Sequence, residues 1–319
     1  MKNVLVTGGC GFIGSNFIRH MLGTHPEINI LNLDVLTYAG NPANLRDLED
    51  HPGYRFVKGD ICDASLVNRV MNTVDTVVHF AAESHVDRSI TDGGAFVTTN
   101  VLGTHTLLKS ALEHKIKRFI HISTDEVYGS IMDGSFRETD LLEPSSPYSA
   151  SKAGSDLIAL AYHNTYKLPA IVTRCTNNYG PYQFPEKLIP LFVTNLIQGK
   201  RVPVYGSGKN IRDWLYVQDH CNAIDFILQN GSDGEIYNIG GGEEKTNLEI
   251  TDLILKLLEK DESMIEYVKD RPGHDFRYSL DISKLKRLGW SPVYKFEDAL
   301  EATVNWYVEN RWWWEKLKH

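Results

Sequence analysis

Short apolar runs alternate with longer amphipathic stretches through the first 175 residues of the chain. Val4, Leu5 and Val6 form a run typical of a buried strand, and the apolar residues from Phe12 to Leu22 then recur at helical spacing. Repeated along the chain, the pattern predicts strands at 3–7, 28–33, 54–58, 75–80, 118–122 and 169–174, and helices at 12–22, 64–72, 99–114 and 149–167. This alternation indicates an α/β fold with a doubly wound parallel sheet, in which ligands bind at the carboxyl ends of the strands.

The rhythm changes after residue 175, where prolines such as Pro181 and Pro203 interrupt a looser region. The pattern there predicts helices at 187–198, 219–229, 248–259 and 297–309, and strands at 202–205 and 235–239. We expect a first domain at 1–180 and a smaller, partly interleaved C-terminal lobe at 181–319 that closes over it and binds the substrate. The segment near 212–239 is expected to return to the first domain.

A run of glycines separates the first predicted strand from the first predicted helix. Gly8, Gly11 and Gly14 let the chain turn without side chains in the way, and the N–H groups at the start of a helix favour a phosphate. Asp34 follows the second predicted strand, 20 residues after Gly14, where a carboxylate can accept hydrogen bonds from ribose hydroxyls. This context predicts a dinucleotide-binding Rossmann domain. A glycine turn followed by an ordinary surface aspartate is the alternative.

Composition narrows the class of protein. The 319 residues are 42% hydrophobic, as in an ordinary globular protein, and the formal net charge of −8 argues against a nucleic-acid-binding protein. The four scattered cysteines lack metal-site spacing, so we expect no metal and no disulfide framework. With no signal peptide recognised and no apolar run long enough to cross a bilayer, we expect a cytoplasmic protein without membrane contact.

The candidate chemistry lies at two places along the first domain. Tyr148 and Lys152 are spaced four residues apart at the start of a predicted helix, so their side chains share a face. A nearby ammonium group favours a phenolate, and we therefore expect it to lower the tyrosine pKa and make Tyr148 a usable base. The run Ser123-Thr124-Asp125-Glu126 follows another predicted strand and carries two adjacent carboxyl groups. Adjacent carboxyl groups can act as acid and base when their environments separate their pKa values.

Together, the glycine turn, Ser123–Thr124 and Tyr148-x-x-x-Lys152 resemble the extended short-chain dehydrogenase/reductase family. Longer blocks, among them Ala81–Ser89, Asn177–Gln183 and Arg271–Asp275, are similar to the dTDP-glucose 4,6-dehydratase branch of that family, and the resemblance covers nearly the whole chain. It implies a lyase with a recycled NAD cofactor and a dTDP-sugar substrate.

The resemblance also implies a role for each catalytic residue. Tyr148 would take the C4 hydroxyl proton while NAD accepts the C4 hydride, Lys152 would hold the nicotinamide ribose, and Thr124 would bind the reacting oxygen. Glu126 would then remove the C5 proton, and Asp125 would protonate the departing C6 hydroxyl. The hydride would finally return to C6.

The same resemblance assigns the binding residues. The expected NAD contacts are Gly8, Gly11, Phe12, Ile13, Gly14, Asp34, Thr37, Asp60, Ile61, Ala81, Ala82, Ser84, Thr99, Tyr148, Lys152 and Asn178. The expected contacts to the sugar nucleotide are His85, Thr124, Asn177, Lys187, Leu188, Val204, Tyr205, Arg212, Asn247, Arg271, His274 and Tyr278. Arg212 and Arg271 are physically suitable clamps for a diphosphate, since guanidinium groups pair with phosphate in fork geometry.

Other functions remain open at this point. A UDP-sugar 4-epimerase and a UDP-glucuronate decarboxylase are NAD-dependent alternatives, and the pair Asp125–Glu126 argues against both. A catalytically silent NAD-binding regulatory protein is a more remote alternative, disfavoured by the intact Tyr148 and Lys152. We also expect a homodimer, since related enzymes pair through the two helices predicted at 99–114 and 149–167.

Overall fold

The computed structural model describes residues 1–270 and 275–318 of the chain. Its strands are β1 (Asn3–Thr7), β2 (Asn29–Asp34), β3 (Tyr54–Lys58), β4 (Thr76–His79), β5 (Arg118–Thr124), β6 (Ala170–Cys175), β7 (Asn177–Tyr179), β8 (Val202–Tyr205), β9 (Ile211–Tyr216), β10 (Ile236–Ile239), β11 (Glu244–Thr246) and β12 (Ile265–Val268). Its α-helices are α1 (Phe12–Thr24), α2 (Ala64–Met71), α3 (Val86–Thr91), α4 (Gly93–Phe96), α5 (Thr104–Glu113), α6 (Pro147–Tyr166), α7 (Leu188–Ile197), α8 (Val217–Asn230), α9 (Asn247–Leu257), α10 (Ser283–Leu288), α11 (Phe296–Glu309) and α12 (Arg311–Trp314).

The largest sheet among the described residues is parallel and has seven strands. Its strand order is β10-β6-β5-β4-β1-β2-β3, and each neighbouring pair is parallel. The order reverses between β1 and β4, so the carboxyl ends of these strands form the crevice in which such sheets bind ligands. The α/β doubly wound fold predicted from the sequence is confirmed.

The period-two pattern of the strands explains how helices cover both faces. Val4 and Val6 pack with α1 and α8 on one side of the sheet, whereas Leu5 packs with α2 and α5 on the other. Burial on both faces is why the strands read as continuous apolar runs.

The return of the chain to the main sheet is visible in β10 and α8. Strand β10 pairs with β6 at the edge of the sheet, and α8 packs against α1. The remaining C-terminal elements form a separate core around residues such as Phe192, Trp214 and Trp314. Trp313 donates from Nε1 to the Asn44 side chain at 2.7 Å, which ties the C-terminal tail to the first domain.

Several predicted elements need correction. The helix predicted at 99–114 is a π-helical segment, Val97–Gly103, followed by α5, and the preceding helices α3 and α4 were not predicted. Strand β9 escaped prediction because its buried positions include Arg212 and Asp213, which break the apolar pattern. The short strands β7, β11 and β12 and helix α10 also escaped prediction.

Candidate active site

The glycine turn joins β1 to α1 at the centre of the sheet. Gly8 has a φ of +70°, which favours glycine, and a Cβ atom at Gly14 would lie 2.4 Å from the carbonyl oxygen of Gly8. Helix α1 begins at Phe12. The residue before it, Gly11, occupies the N-cap position and has no side chain that could accept hydrogen bonds from the first turn. The N–H groups of the first turn therefore face the crevice as donors for an anionic ligand.

Asp34 ends β2 beside this turn. Its Oδ2 accepts a hydrogen bond from the Cys10 N–H at 2.9 Å, and its Oδ1 accepts one from the Leu36 N–H at 2.8 Å. Burial raises the pKa of the Asp34 carboxyl. The Asp34 carboxyl group thus lines the crevice and also stabilises the glycine turn through its hydrogen bond with Cys10. The sequence did not suggest this second role.

A cavity of about 380 Å³ lies along the carboxyl ends of the strands. It is lined by all the residues that the sequence assigned to NAD and all those assigned to catalysis. They come from the glycine turn, from the ends of β2, β3, β4 and β5, from the π-helical segment Val97–Gly103, from helix α6 and from strand β7. These residues thus surround one cavity at the carboxyl ends of the parallel strands. Their contacts with NAD stay predictions.

Tyr148 and Lys152 lie on the first turns of α6. Ser146 caps this helix by accepting from the Ser149 N–H, and Pro147 occupies its first position. Lys152 is buried, and its Nζ donates to the Ile122 carbonyl oxygen at 2.7 Å. Burial lowers the Lys152 pKa to about 8. The ammonium is thus held against the strand that carries the two carboxyl groups.

The carboxyl pair sits in a tight turn, Asp125–Val127, at the end of β5. The Thr124 hydroxyl donates to Asp125 Oδ1 at 3.1 Å, and the Glu126 N–H donates to the Thr124 hydroxyl at 3.3 Å. Asp125 Oδ2 is buried and has no hydrogen-bond partner among the described residues. Burial and the neighbouring Glu126 raise the Asp125 pKa to about 8. Both effects favour the protonated form of Asp125, which can donate a proton.

The prediction that the Tyr148 pKa is lowered is wrong. Burial raises the Tyr148 pKa well above its ordinary value, and the charges of Glu126, Cys175 and Asp125 raise it further. Only a hydrogen bond with Thr124 acts in the opposite direction among the main causes. Spacing in the sequence placed Lys152 near Tyr148, but it could not reveal two carboxyl groups on the other side.

Only some of the residues assigned to the sugar nucleotide line the cavity. Thr124, Asn177 and Lys187 line the cavity, whereas His85, Leu188, Val204, Tyr205, Arg212, Asn247 and Tyr278 are not part of its lining. The Val204 side chain packs in the core formed by the C-terminal elements, so only the backbone of Val204 could contact a ligand. Arg271 and His274 lie outside the described residues.

Arg212 already has partners in the structure. It donates to the carbonyl oxygens of Asp275, at 2.9 Å, and Phe276, at 3.1 Å, and its guanidinium lies 4.4 Å from the Tyr278 ring centroid. Arg212 therefore holds the chain of residues 275–278 in place, a role that the sequence missed. Asn247 is buried, and its Oδ1 has no partner among the described residues.

Other residues of the site were not found from the sequence. The lining includes Tyr38, Phe184, Glu186 and Trp313, whose contacts join distant parts of the chain. Within the described ranges, no group of three or more His, Cys, Asp and Glu side chains could hold a metal ion. Over those same ranges, no helix has the length and apolarity needed to span a membrane.

Comparison with known proteins identifies the family. The family model described as GDP-mannose 4,6 dehydratase matches residues 5–303. The chain belongs to this dehydratase family. A relative from Streptomyces niveus, named dTDP-glucose 4,6-dehydratase, is 56% identical over 320 residues, which cover 99% of this chain and 95% of the relative.

Solved structures show how far this likeness extends. DesIV, a dTDP-glucose 4,6-dehydratase of Streptomyces venezuelae solved with NAD bound, has 56% sequence identity and a TM-score of 0.97, covering 99% of this chain and 100% of its own. A UDP-glucose 4-epimerase of Thermotoga maritima has 29% identity and a TM-score of 0.90, covering 97% of this chain and 99% of its own. The fold is thus shared with epimerases, and the choice of reaction depends on individual residues of the site.

Proposed function

We propose that the protein is a hydro-lyase that converts dTDP-glucose into dTDP-4-keto-6-deoxyglucose and water, with NAD as a recycled cofactor. The observation that carries this proposal is the pair Asp125–Glu126 in the same cavity as Tyr148 and Lys152. Elimination of water needs an acid and a base near the tyrosine, whereas 4-epimerisation needs neither. The relatives named dTDP-glucose 4,6-dehydratase support the same reaction.

The lining of the cavity suits NAD. The glycine turn offers backbone N–H groups at the start of α1, and its missing side chains leave room for a pyrophosphate. Asp34, Thr37, Ile61 and Ala81 line the cavity. Asp34 and Thr37 would hydrogen-bond the ribose hydroxyls, and Ile61 and Ala81 would provide apolar surface. When bound, NAD would supply an acceptor for the C4 hydride and the source of the hydride that C6 receives, with C5 taking up a proton.

The first proposed step belongs to Tyr148. In its phenolate form, Tyr148 takes the proton of the C4 hydroxyl while Thr124 hydrogen-bonds the same oxygen. The C4 hydride would pass to bound NAD, so that a ketone forms at C4. The raised pKa of Tyr148 opposes formation of the phenolate, and a positive charge near the hydroxyl would lower that pKa. Lys152 follows Tyr148 by four residues on α6 and lines the same cavity, and its ammonium would be the positive group for this role.

The second step belongs to the carboxyl pair. The C4 ketone acidifies the proton on C5, which Glu126 removes as base. Asp125 donates its proton to the C6 hydroxyl, which leaves as water. A pKa of about 8 keeps Asp125 protonated for this role, and its unpartnered Oδ2 can face a substrate hydroxyl.

A direct assay tests the reaction. Purified protein incubated with dTDP-glucose should form a 4-keto sugar, detected by its absorbance in alkali, and water loss should appear in the mass of the product. Tyr148→Phe should abolish both signals. Conversion of UDP-glucose to its C4 epimer, with dTDP-glucose left unchanged, would contradict the proposal in favour of an epimerase.

Asp34 should set the choice between cofactors. A carboxylate at the end of β2 accepts from a 2′-hydroxyl and repels a 2′-phosphate, and Val35, Leu36 and Thr37 offer no arginine to pair with that phosphate. We expect NAD to bind at least roughly a hundredfold more tightly than NADP, because placing the 2′-phosphate of NADP beside the Asp34 carboxylate brings two negative charges together, which costs several kcal/mol. Titration of cofactor-stripped protein with both dinucleotides measures the ratio. Equal affinities would contradict this assignment.

We further propose a homodimer through the segment 97–113 and helix α6. Leu102 and Leu157 are 51% and 58% exposed and carry apolar surface on these elements. Leu107 and Leu108, on the same segment, are fully buried against the main sheet and cannot contribute to this surface. A second copy of the same face would cover Leu102 and Leu157 in a two-fold arrangement.

Light scattering tests the dimer. The protein should have twice the mass of the chain at micromolar concentration, and Leu157→Glu should shift it towards monomer. Val293→Glu, at a position that is 77% exposed on a loop outside this face, is the matched control and should stay dimeric. A monomeric wild-type protein would refute the arrangement.

Two further assignments accompany this function. Residues 1–180, with the return near 212–239, would hold NAD, and residues 181–319 would supply the lobe for the sugar nucleotide. All four cysteines, Cys10, Cys62, Cys175 and Cys221, are free thiols in the structure. Free thiols suit the reducing cytoplasm, in which we place the protein.

A further inference from the structure

Three distant segments of the chain meet beside the cavity. They are the loop after β2 with Tyr38, the start of α3 with Arg88, and the loop before α7 with Glu186. The Arg88 guanidinium lies 3.5 Å from the Tyr38 ring centroid, and Arg88 Nη2 lies 3.5 Å from Glu186 Oε2. The Tyr38 hydroxyl completes the triangle by donating to Glu186 Oε1 at 3.1 Å.

Neighbouring contacts reinforce the same junction. The rings of Tyr38 and Phe184 meet edge to face, with centroids 5.5 Å apart. Lys187 Nζ donates to the Ser84 carbonyl oxygen at 3.4 Å. His85 Nε2 lies 3.7 Å from Glu186 Oε1. The loop before α7 is thus attached to both segments of the first domain.

The triangle stands at the edge of the cavity rather than among the catalytic residues. Tyr38 and Glu186 line the cavity, whereas Arg88 does not line it and its side chain is 49% exposed. Thr37, assigned to NAD, precedes Tyr38, and Lys187, assigned to the sugar nucleotide, follows Glu186. Arg88 therefore lies outside the cavity and connects two residues that line it, Tyr38 and Glu186.

We propose that Tyr38, Arg88 and Glu186 form a clasp that retains NAD in the cavity through successive turnovers. The inference rests on the proposed function, in which the cofactor ends each cycle in its starting state and has no need to leave. Moving the loop before α7 away from this edge requires the Arg88–Glu186 ion pair and the Tyr38–Glu186 hydrogen bond to break together, and the Arg88 guanidinium, stacked on the Tyr38 ring, holds both partners of Glu186 in position. Each contact is weak near the surface, so the clasp slows dissociation through their combination.

The test measures how fast NAD leaves the holoenzyme. Protein loaded with labelled NAD is mixed with excess unlabelled NAD, and the bound label is followed by rapid gel filtration. Arg88→Met removes the stacking cation and the ion pair, and Glu186→Gln removes the charge but keeps an acceptor for Tyr38. We expect each variant to lose label about tenfold faster than wild type. Activity should then decay after dilution and return on addition of NAD.

Controls separate the clasp from general loosening and from failure of the proposed function. Arg69→Met removes a guanidinium that donates to Ser65 on the surface of α2, and it should keep the wild-type rate. Salt should accelerate release from wild type more than from Glu186→Gln, since it screens the ion pair. Equal release from wild type and both clasp variants would overturn the clasp alone. A wild-type protein that binds no labelled NAD would overturn the proposed function itself.

Discussion

Replacing Glu126 by glutamine should stop the reaction at the 4-keto-glucose stage. Oxidation at C4 depends on Tyr148, Lys152 and NAD, so the variant should still form reduced cofactor when substrate is added. Without the Glu126 carboxylate, however, no group removes the C5 proton, and the sugar should take up no deuterium at C5 from heavy water. Loss of a general base typically lowers a rate roughly a hundredfold to ten-thousandfold.

The matching change at Asp125 should fail at a later step. Asp125→Asn keeps the base, so C5 should still exchange with solvent, but an amide cannot deliver the proton that the C6 hydroxyl needs to leave. Single-turnover mixing in heavy water, followed by mass and NMR analysis of the sugar, distinguishes the two phenotypes. Tyr148→Phe serves as control and should form neither reduced cofactor nor ketone.

The results can also contradict the assignment. Exchange at C5 in Glu126→Gln but not in Asp125→Asn would mean that the two roles are reversed. Normal turnover by both variants would exclude the carboxyl pair from the elimination. The raised pKa of Asp125 favours the acid role for this residue, because a carboxyl that stays protonated to a pH of about 8 is a poor base below that pH.

The main sheet was predictable because its strands are buried on both faces. A continuous apolar run such as Val4–Val6, followed by glycines and then by an amphipathic helix, is typical of a buried parallel strand. The C-terminal lobe was harder, since a strand such as β9 contains the buried polar residues Arg212 and Asp213. Their hydrogen bonds, which offset the cost of burial, involve partners distant in the sequence.

The candidate site shows a similar division. Residues at strand ends and at the start of α6 were predictable, because parallel strands bring their carboxyl ends together at one edge of the sheet. Contacts across large sequence separations, such as those of Glu186 with Tyr38 and Arg88, carry no local signal. The direction of the Tyr148 pKa shift was predicted wrongly. The burial of Tyr148 and the negative groups near it arise only when the cavity is assembled.

The buried carboxyl of Asp125 should make the stability of the protein depend on pH. Burial and Glu126 raise its pKa from 3.8 to about 8, whereas in the unfolded chain it returns to the ordinary value. Between these two values, the native state holds a proton that the unfolded state has released. The stabilising contribution of the protonated form is therefore complete below a pH of about 4 and is lost as the pH rises towards 8.

Asp125→Asn should remove this dependence, since the amide does not ionise. The free energy of unfolding of the variant, relative to wild type, should rise by about 1.4 kcal/mol per pH unit between pH 5 and 7, and flatten near pH 8. Urea unfolding of both proteins in the same cofactor state, at intervals of one pH unit from 5 to 9, measures the difference. Asp133→Asn, at an exposed loop position, is the matched control and should follow wild type throughout. A constant difference between Asp125→Asn and wild type would show that Asp125 is ionised in the native protein across this range, and would remove the basis for its role as the acid.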